Sequence, residues 1–179
     1  FARAGVMLDL GAIGKGYAVE RAAEVLREAG VTSALIHGGT STVQALGPPP
    51  GEEFWKIAIE TPSPVSDTPP TLLATVPLKE EAMSVSGVWG HSFQVKERTF
   101  GHIIDPRTGE PTLGTVLAAV VLPSATETDA LSTALLTVGA AGHETIAGLR
   151  PGMRTLVVSE FGGRLQVEAK GIQVRSAGQ

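Results

Sequence analysis

The chain has no cysteine among its 179 residues, which excludes disulfides and thiolate metal sites. That absence is compatible with an oxidising compartment. Nor is there a basic block. Lys and Arg number 14 against 18 Asp and Glu, a formal net charge of −4, which argues against nucleic acid as a partner. No apolar run approaches the ~20 residues that a membrane span requires, and no signal-peptide pattern is visible. No pair of the four histidines has zinc-ligand spacing. Internal repeats, low-complexity tracts and a clear domain boundary are absent too.

Hydrophobic residues make up 42% of the chain, enough for one domain, 1–179, with a real core. The chain opens on Phe1-Ala2-Arg3 without a Met and reads as a processed or trimmed piece, so that any targeting segment would lie in the missing part.

The periodicities predict an α+β class with a mostly antiparallel sheet and packed helices. Val6–Leu10 reads as a strand that runs through glycines into a helix ending near Ala29, stopped by Gly30. Strands follow at Ser33–His37 and Thr42–Leu46, so that the opening reads as a strand–helix–strand unit. Further strands are expected at Phe54–Ile59, Leu72–Val76, Ser92–Lys96, Phe100–Ile104 and Val116–Val121. Thr61 to Pro70 holds four prolines and is a surface excursion. Ser124-Ala125-Thr126-Glu127 reads as a capping box opening a helix to about Val138. A small second helix is expected over Gly142 to Leu149. Leu156–Val158 and Leu165–Val167 form a hairpin turning at Gly162-Gly163.

Four stretches could carry chemistry, and each has a plainer alternative. Asp129 and Thr133 lie four apart on one helical face, half of a hard-oxygen metal site, or else an exposed Asp beside a back-bonded Thr. Asp9-Leu10-Gly11-Ala12-Ile13-Gly14-Lys15-Gly16 enters a helix N-terminus, where free N–H groups and Lys15 would attract an anion. Its spacing is neither a Walker A nor a dinucleotide fingerprint, and the alternative is a tight turn with a solvated lysine. His102 precedes the turn Asp105-Pro106-Arg107-Thr108-Gly109, a good place for a positioned general base. Alternatively, His102 is an ordinary strand residue, with Asp105 and Arg107 holding the turn. Ser84-Val85-Ser86-Gly87-Val88-Trp89-Gly90 would let a ligand approach the backbone, with Trp89 free to stack, or is a plain turn with a core tryptophan. His37, His91 and His143 have no comparable setting.

Taken together, five segments resemble the ApbE family of flavin transferases. They are Leu10-Gly11-Ala12-Ile13-Gly14-Lys15-Gly16-Tyr17-Ala18-Val19, Gly38-Gly39, Ser86-Gly87, His102-Ile103-Ile104-Asp105-Pro106-Arg107-Thr108-Gly109 and Asp129-Ala130-Leu131-Ser132-Thr133. The resemblance implies an α+β fold with a flavin nucleotide cleft, and an N-terminal part of the family that is missing here. Three departures stand out: Gly101-His102 replaces a pair of histidines, Thr40-Ser41 follows the paired glycines in place of an acidic residue, and Glu20 stands where Asp is common.

The implied reaction is transfer of FMN from FAD to a Thr or Ser hydroxyl of an acceptor flavoprotein, releasing AMP. The alternatives are hydrolysis of FAD to FMN and AMP, or a flavin-binding module without turnover. By resemblance, Asp129, Thr133 and the Ala12 carbonyl would hold Mg²⁺, while Lys15, Gly38, Gly39, Ser86, Gly87, His102, Ile103 and Asp105 would line the FAD site. His102 would be the base and Asp129 the catalytic carboxylate. A periplasmic or cell-envelope location, with membrane association through a missing N-terminal anchor, is implied in the same way.

Overall fold

Strand β8, Thr115–Leu122, is buried at every position, and the architecture follows from that. A strand buried on both faces needs a packed layer on each side. In the computed structural model, which describes residues 2–62, 71–88, 92–95 and 98–175, both layers are present. Ala118, Val120 and Leu122 face Leu135, Leu136 and Ile146 of a long helix. Leu117, Ala119 and Val121 face Ile59, Leu73, Val76 and Leu78 of a hairpin.

The elements run α1 (Gly14–Glu28), β1 (Ala34–Gly38), β2 (Thr42–Leu46), β3 (Trp55–Glu60), β4 (Leu72–Leu78), β5 (Ala82–Gly87), β6 (Ser92–Val95), β7 (Arg98–Gly101), β8, α2 (Ala125–Ala147), β9 (Arg154–Phe161) and β10 (Arg164–Lys170). Six strands form one sheet in the order β1-β2-β5-β8-β9-β10, and β3-β4 and β6-β7 are separate hairpins. Every pairing is antiparallel. The sheet thus lies between α2 and the β3-β4 hairpin. The α+β expectation stands, and no helix among the described residues is long and apolar enough to cross a membrane.

Four expectations are corrected. Val6–Leu10 is not a strand: it pairs with nothing among the described residues, and Met7 and Leu8 are 90% and 74% exposed. Alternation cannot make a strand without a neighbour to complete its hydrogen bonds. The opening is therefore not a strand–helix–strand unit. Instead β1 and β2 pair as a hairpin, Gly38 opposite Thr42, turning through Gly39 at φ +69°. Ser84–Gly87 is not a turn but part of β5, a central strand between β2 and β8. Lastly, the two expected helices are one element, broken at Gly139 (φ 65°, ψ −161°), just after the expected stop at Val138. The sequence there carries no proline to end the helix outright, so packing on the sheet carries the chain onward. Trp89, His91 and Lys96 lie outside the described residues, as does most of the proline-rich excursion.

Helix α1 crosses α2 at Gly16. A Cβ there would stand 2.2 Å from the Ala125 carbonyl oxygen and 2.7 Å from Asp129 Cβ. Neither neighbour is a flexible side-chain end. Gly16→Ala is expected to force the helices apart and destabilise the fold by about 1–3 kcal/mol. The check is a lower urea midpoint with an unchanged slope.

Candidate active site

The site is assembled at the N-terminus of α2. Ser124 is the N-cap, its side chain accepting from the Glu127 N–H at 3.1 Å, as half of the expected capping box requires. The other half is supplied from elsewhere. Glu127 turns away to pair with Arg150, Nη2 to Oε1 at 2.8 Å. Glu20 of α1 takes its place, accepting from Ser124 Oγ at 2.9 Å and from the Thr126 N–H at 2.8 Å.

Burial raises the Glu20 carboxyl pKa, but the bonds from Thr126 and Ser124 outweigh it and hold the value below the ordinary one. A depressed carboxyl stabilises the fold above its unfolded pKa, about 4.3, and that contribution is lost as pH falls through the lower folded value. Glu20→Gln is therefore expected to flatten the acid limb of the stability–pH curve below that window, as read by thermal melts at stepped pH.

One turn further on, Asp129 is 2% exposed. Its Oδ2 accepts the Gly16 N–H at 2.9 Å, and its Oδ1 lies 3.3 Å from Lys15 Nζ. Lys15 also donates to the Gly11 carbonyl at 3.1 Å, and its side chain is 46% exposed, so the ammonium is free to swing toward a ligand. The Gly16 N–H would ordinarily bond to the Ala12 carbonyl at a helix start. Because Asp129 takes it, the exposed Ala12 carbonyl is left with no donor among the described residues.

Thr133 donates to the Asp129 carbonyl at 3.2 Å, and Ser132 does so at 3.1 Å. Ser86 Oγ touches both, Ser132 Oγ at 2.8 Å and Thr133 Oγ1 at 3.1 Å. These hydroxyls give Thr133 an inner acceptor for its proton and leave a lone pair for a ligand. Nearer the N-terminus a second seam has a fixed direction. Thr128 donates to the Ala125 carbonyl, so it must accept from Ser84, which in turn accepts from Thr42. Both seams join β5 to α2, which is why small hydroxyl residues serve in a buried strand.

No cluster of three or more His, Cys, Asp or Glu stands among the described residues. The oxygen set of Asp129, Thr133 and the freed Ala12 carbonyl still fits Mg²⁺, which accepts one carboxylate and completes its octahedron with water and phosphate oxygens.

Other candidates sit as follows. Gly38 packs against α1, where a Cβ would meet Val19 Cγ2 at 2.7 Å. Gly39 stays in an exposed turn and Gly87 ends β5. Asp105 grips Arg107 with both oxygens, at 2.9 Å to Nε and 2.6 Å to Nη2. Hydrogen bonds from the Arg107 side chain and backbone hold its carboxyl below the usual carboxylate value. Arg107 Nη2 also reaches the Thr137 carbonyl at 3.3 Å, tying this turn to α2. Between them is a cavity of about 340 Å³, where Ile103 and Pro106 face Thr133 and Val138. His102 directly precedes Ile103, is exposed, and follows the end of β7 rather than lying within a strand. Hydrogen bonds and the ion pair join Lys15, Asp129, Thr133 and Ser86, whereas Ile103 meets that group across the cavity. Gly16, Glu20 and Ser132 were missed by sequence reasoning. A glycine flanked by helix formers was the available signal for Gly16.

Residues 1–157 match the ApbE family model. A FAD:protein FMN transferase of Rhodobacter capsulatus is 36% identical over 135 residues, covering 75% of this chain and 24% of that protein. One from Haemophilus influenzae is 31% identical, covering 75% and 38%. The chain thus spans well under half the length of these relatives. An ApbE protein of Thermotoga maritima superimposes with a TM-score of 0.77 at 30% identity, over 91% of this chain and 52% of that one. The apo flavinyl transferase ApbE of Pseudomonas stutzeri gives 0.74 at 29%, over 91% and 49%. With the family model matched across most of its length, and the fold and motif order in agreement, the chain belongs to the ApbE family.

Proposed function

We propose that the protein transfers the FMN moiety of FAD to a Ser or Thr hydroxyl of an acceptor flavoprotein, in a Mg²⁺-dependent reaction that releases AMP. The observation that carries the reading is the junction at Gly16. There a buried carboxylate, a lysine and a carbonyl freed from its helix converge on one helix N-terminus. That combination suits a diphosphate with its cation. The names of the relatives, FAD:protein FMN transferase, support the same chemistry.

The acceptor oxygen attacks the FMN-side phosphorus, forming one P–O bond as the bridging P–O bond breaks. The bond's electrons leave on the phosphate of AMP. His102 takes the hydroxyl proton. Lys15 releases Asp129 and moves to the phosphates, while Asp129, Thr133 and the Ala12 carbonyl would hold Mg²⁺. When bound, that ion neutralises charge on the diphosphate oxygens. The backbone at Gly38, Gly39, Ser86 and Gly87, with Ile103 and Asp105, would bound the nucleotide.

The decisive measurement is AMP release from FAD with Mg²⁺, with and without an acceptor peptide. Release without the peptide, at the same rate, would instead indicate hydrolysis. Lys15→Ala is expected to weaken FAD binding at low salt, with the loss shrinking as salt rises, because an exposed lysine–phosphate contact is screened over about 10 Å at 0.1 M. Fluorescence titration at two ionic strengths reads this. An affinity unchanged at low salt would return Lys15 to a solvated turn residue.

A further inference from the structure

We propose that the cavity between α2 and the Ile103–Arg107 turn seats an aliphatic side chain of the acceptor segment, beside the Ser or Thr that receives the flavin. The inference rests on the transferase reading above.

The first argument is chemical. Thr133 and Thr137 line the cavity, but both hydroxyls are bonded to the helix backbone, Thr133 to the Asp129 carbonyl at 3.2 Å and Thr137 to the Thr133 carbonyl at 2.8 Å. With Ile103, Ile104, Pro106 and Val138, the walls are then mostly aliphatic. The polar edge of a flavin or adenine would lose its water there without replacement, which is costly. An aliphatic side chain loses nothing. At about 340 Å³ the cavity is also at the small end for ligand pockets, well short of a whole dinucleotide.

The second argument is position. Asp129, Thr133 and Thr137 succeed one another at four-residue steps on one face of α2, each step about 6 Å along the axis. The phosphate end of the site is at Asp129. The cavity begins at Thr133 and extends away from it. Ile103, which lines it, follows His102 in the chain. A base must touch the nucleophile whose proton it takes, so the acceptor approaches from the side of His102.

The third argument is the rim. Arg107 is paired with Asp105 through Nε and Nη2, so the two are neutral as a unit. Its Nη1 has no partner among the described residues. Such a donor matches a main-chain carbonyl of an extended segment and does not demand an anion.

The test uses a short fluorescein-labelled peptide with one Thr flanked by Val and Ala, in saturating FAD and Mg²⁺, titrated by anisotropy. Ile104→Asp places a charge in the cavity, and Ala134→Leu fills it. Both variants are expected to raise the peptide Kd about tenfold or more, the scale of one lost aliphatic contact, with FAD affinity and melting midpoint unchanged. A peptide with Asp in place of Val should bind the wild-type protein comparably weakly. Wild-type peptide affinity in both variants would overturn the proposal. So would a parallel fall in FAD affinity, which would assign the cavity to the dinucleotide. Flavin transfer to the peptide is followed separately. Binding that is lost in the variants but never leads to transfer would uphold the docking cavity and refute the transferase reading.

Discussion

Asp129→Asn is expected to abolish turnover and divalent-metal dependence together. The amide fills the same space, and its oxygen can still accept the Gly16 N–H that now lies 2.9 Å from Oδ2. What disappears is the only carboxylate of the proposed donor set, and neutral oxygens hold Mg²⁺ poorly. Lys15 loses its ion-pair partner at the same time, so the site becomes more positive where a cation must bind. Asp129→Ala should lose activity equally and stability as well. It leaves the buried Gly16 N–H without an acceptor, a penalty of about 1–3 kcal/mol. The Asn and Ala variants thus separate the metal role from the structural one, by Mg²⁺ calorimetry on one side and urea denaturation on the other. Thr133→Ala should weaken the metal less, since it removes a neutral ligand. Wild-type turnover of Asp129→Asn at low Mg²⁺ would show that the cation is held elsewhere.

His102→Ala is expected to slow single-turnover transfer by about 10²–10⁴-fold, the usual worth of a positioned general base. FAD binding should persist, because Lys15, the glycine turns and Mg²⁺ hold the nucleotide. His102→Asn should fail similarly: an amide has nearly the right shape but cannot take the proton. The structure adds a control. The following turn is braced independently by the Asp105–Arg107 pair and by the Arg107 bond to the Thr137 carbonyl. Loss of the imidazole should therefore leave the cavity formed and the melting midpoint unmoved. Transfer at the wild-type rate would make His102 structural and shift the proton to another acceptor.

Much of the local architecture was legible in the residues. Gly30, at φ +83°, stops α1 where its sequence position suggested. The Ser124 cap, the Asp105–Gly109 turn and the terminal hairpin at Gly162-Gly163 also appear where short-range chemistry places them. These features depend on neighbours within about one turn of chain, and such signals survive any fold. The ApbE motifs were legible too, because their order along the chain is itself informative.

What composition and periodicity left undecided was which of these local pieces would meet. Whether Val6–Leu10 paired, and whether Ser84–Gly87 was a turn or a central strand, depended on partners distant in sequence. Small polar residues in β5 are poor strand formers by themselves, and become good ones only against the hydroxyls of α2. The site shows the same division. The Asp129–Thr133 spacing was readable from a helical period, but the Gly16 N–H that holds Asp129 lies 113 residues away, and the Glu20 carboxylate that caps α2 lies 104 residues from Ser124. The sequence by itself determined the elements, their caps and the chemical types available. Only the tertiary structure decided that a glycine would let two helices cross closely enough for one to take the other's first hydrogen bond. A missing Cβ becomes an active-site feature only when something is packed against it.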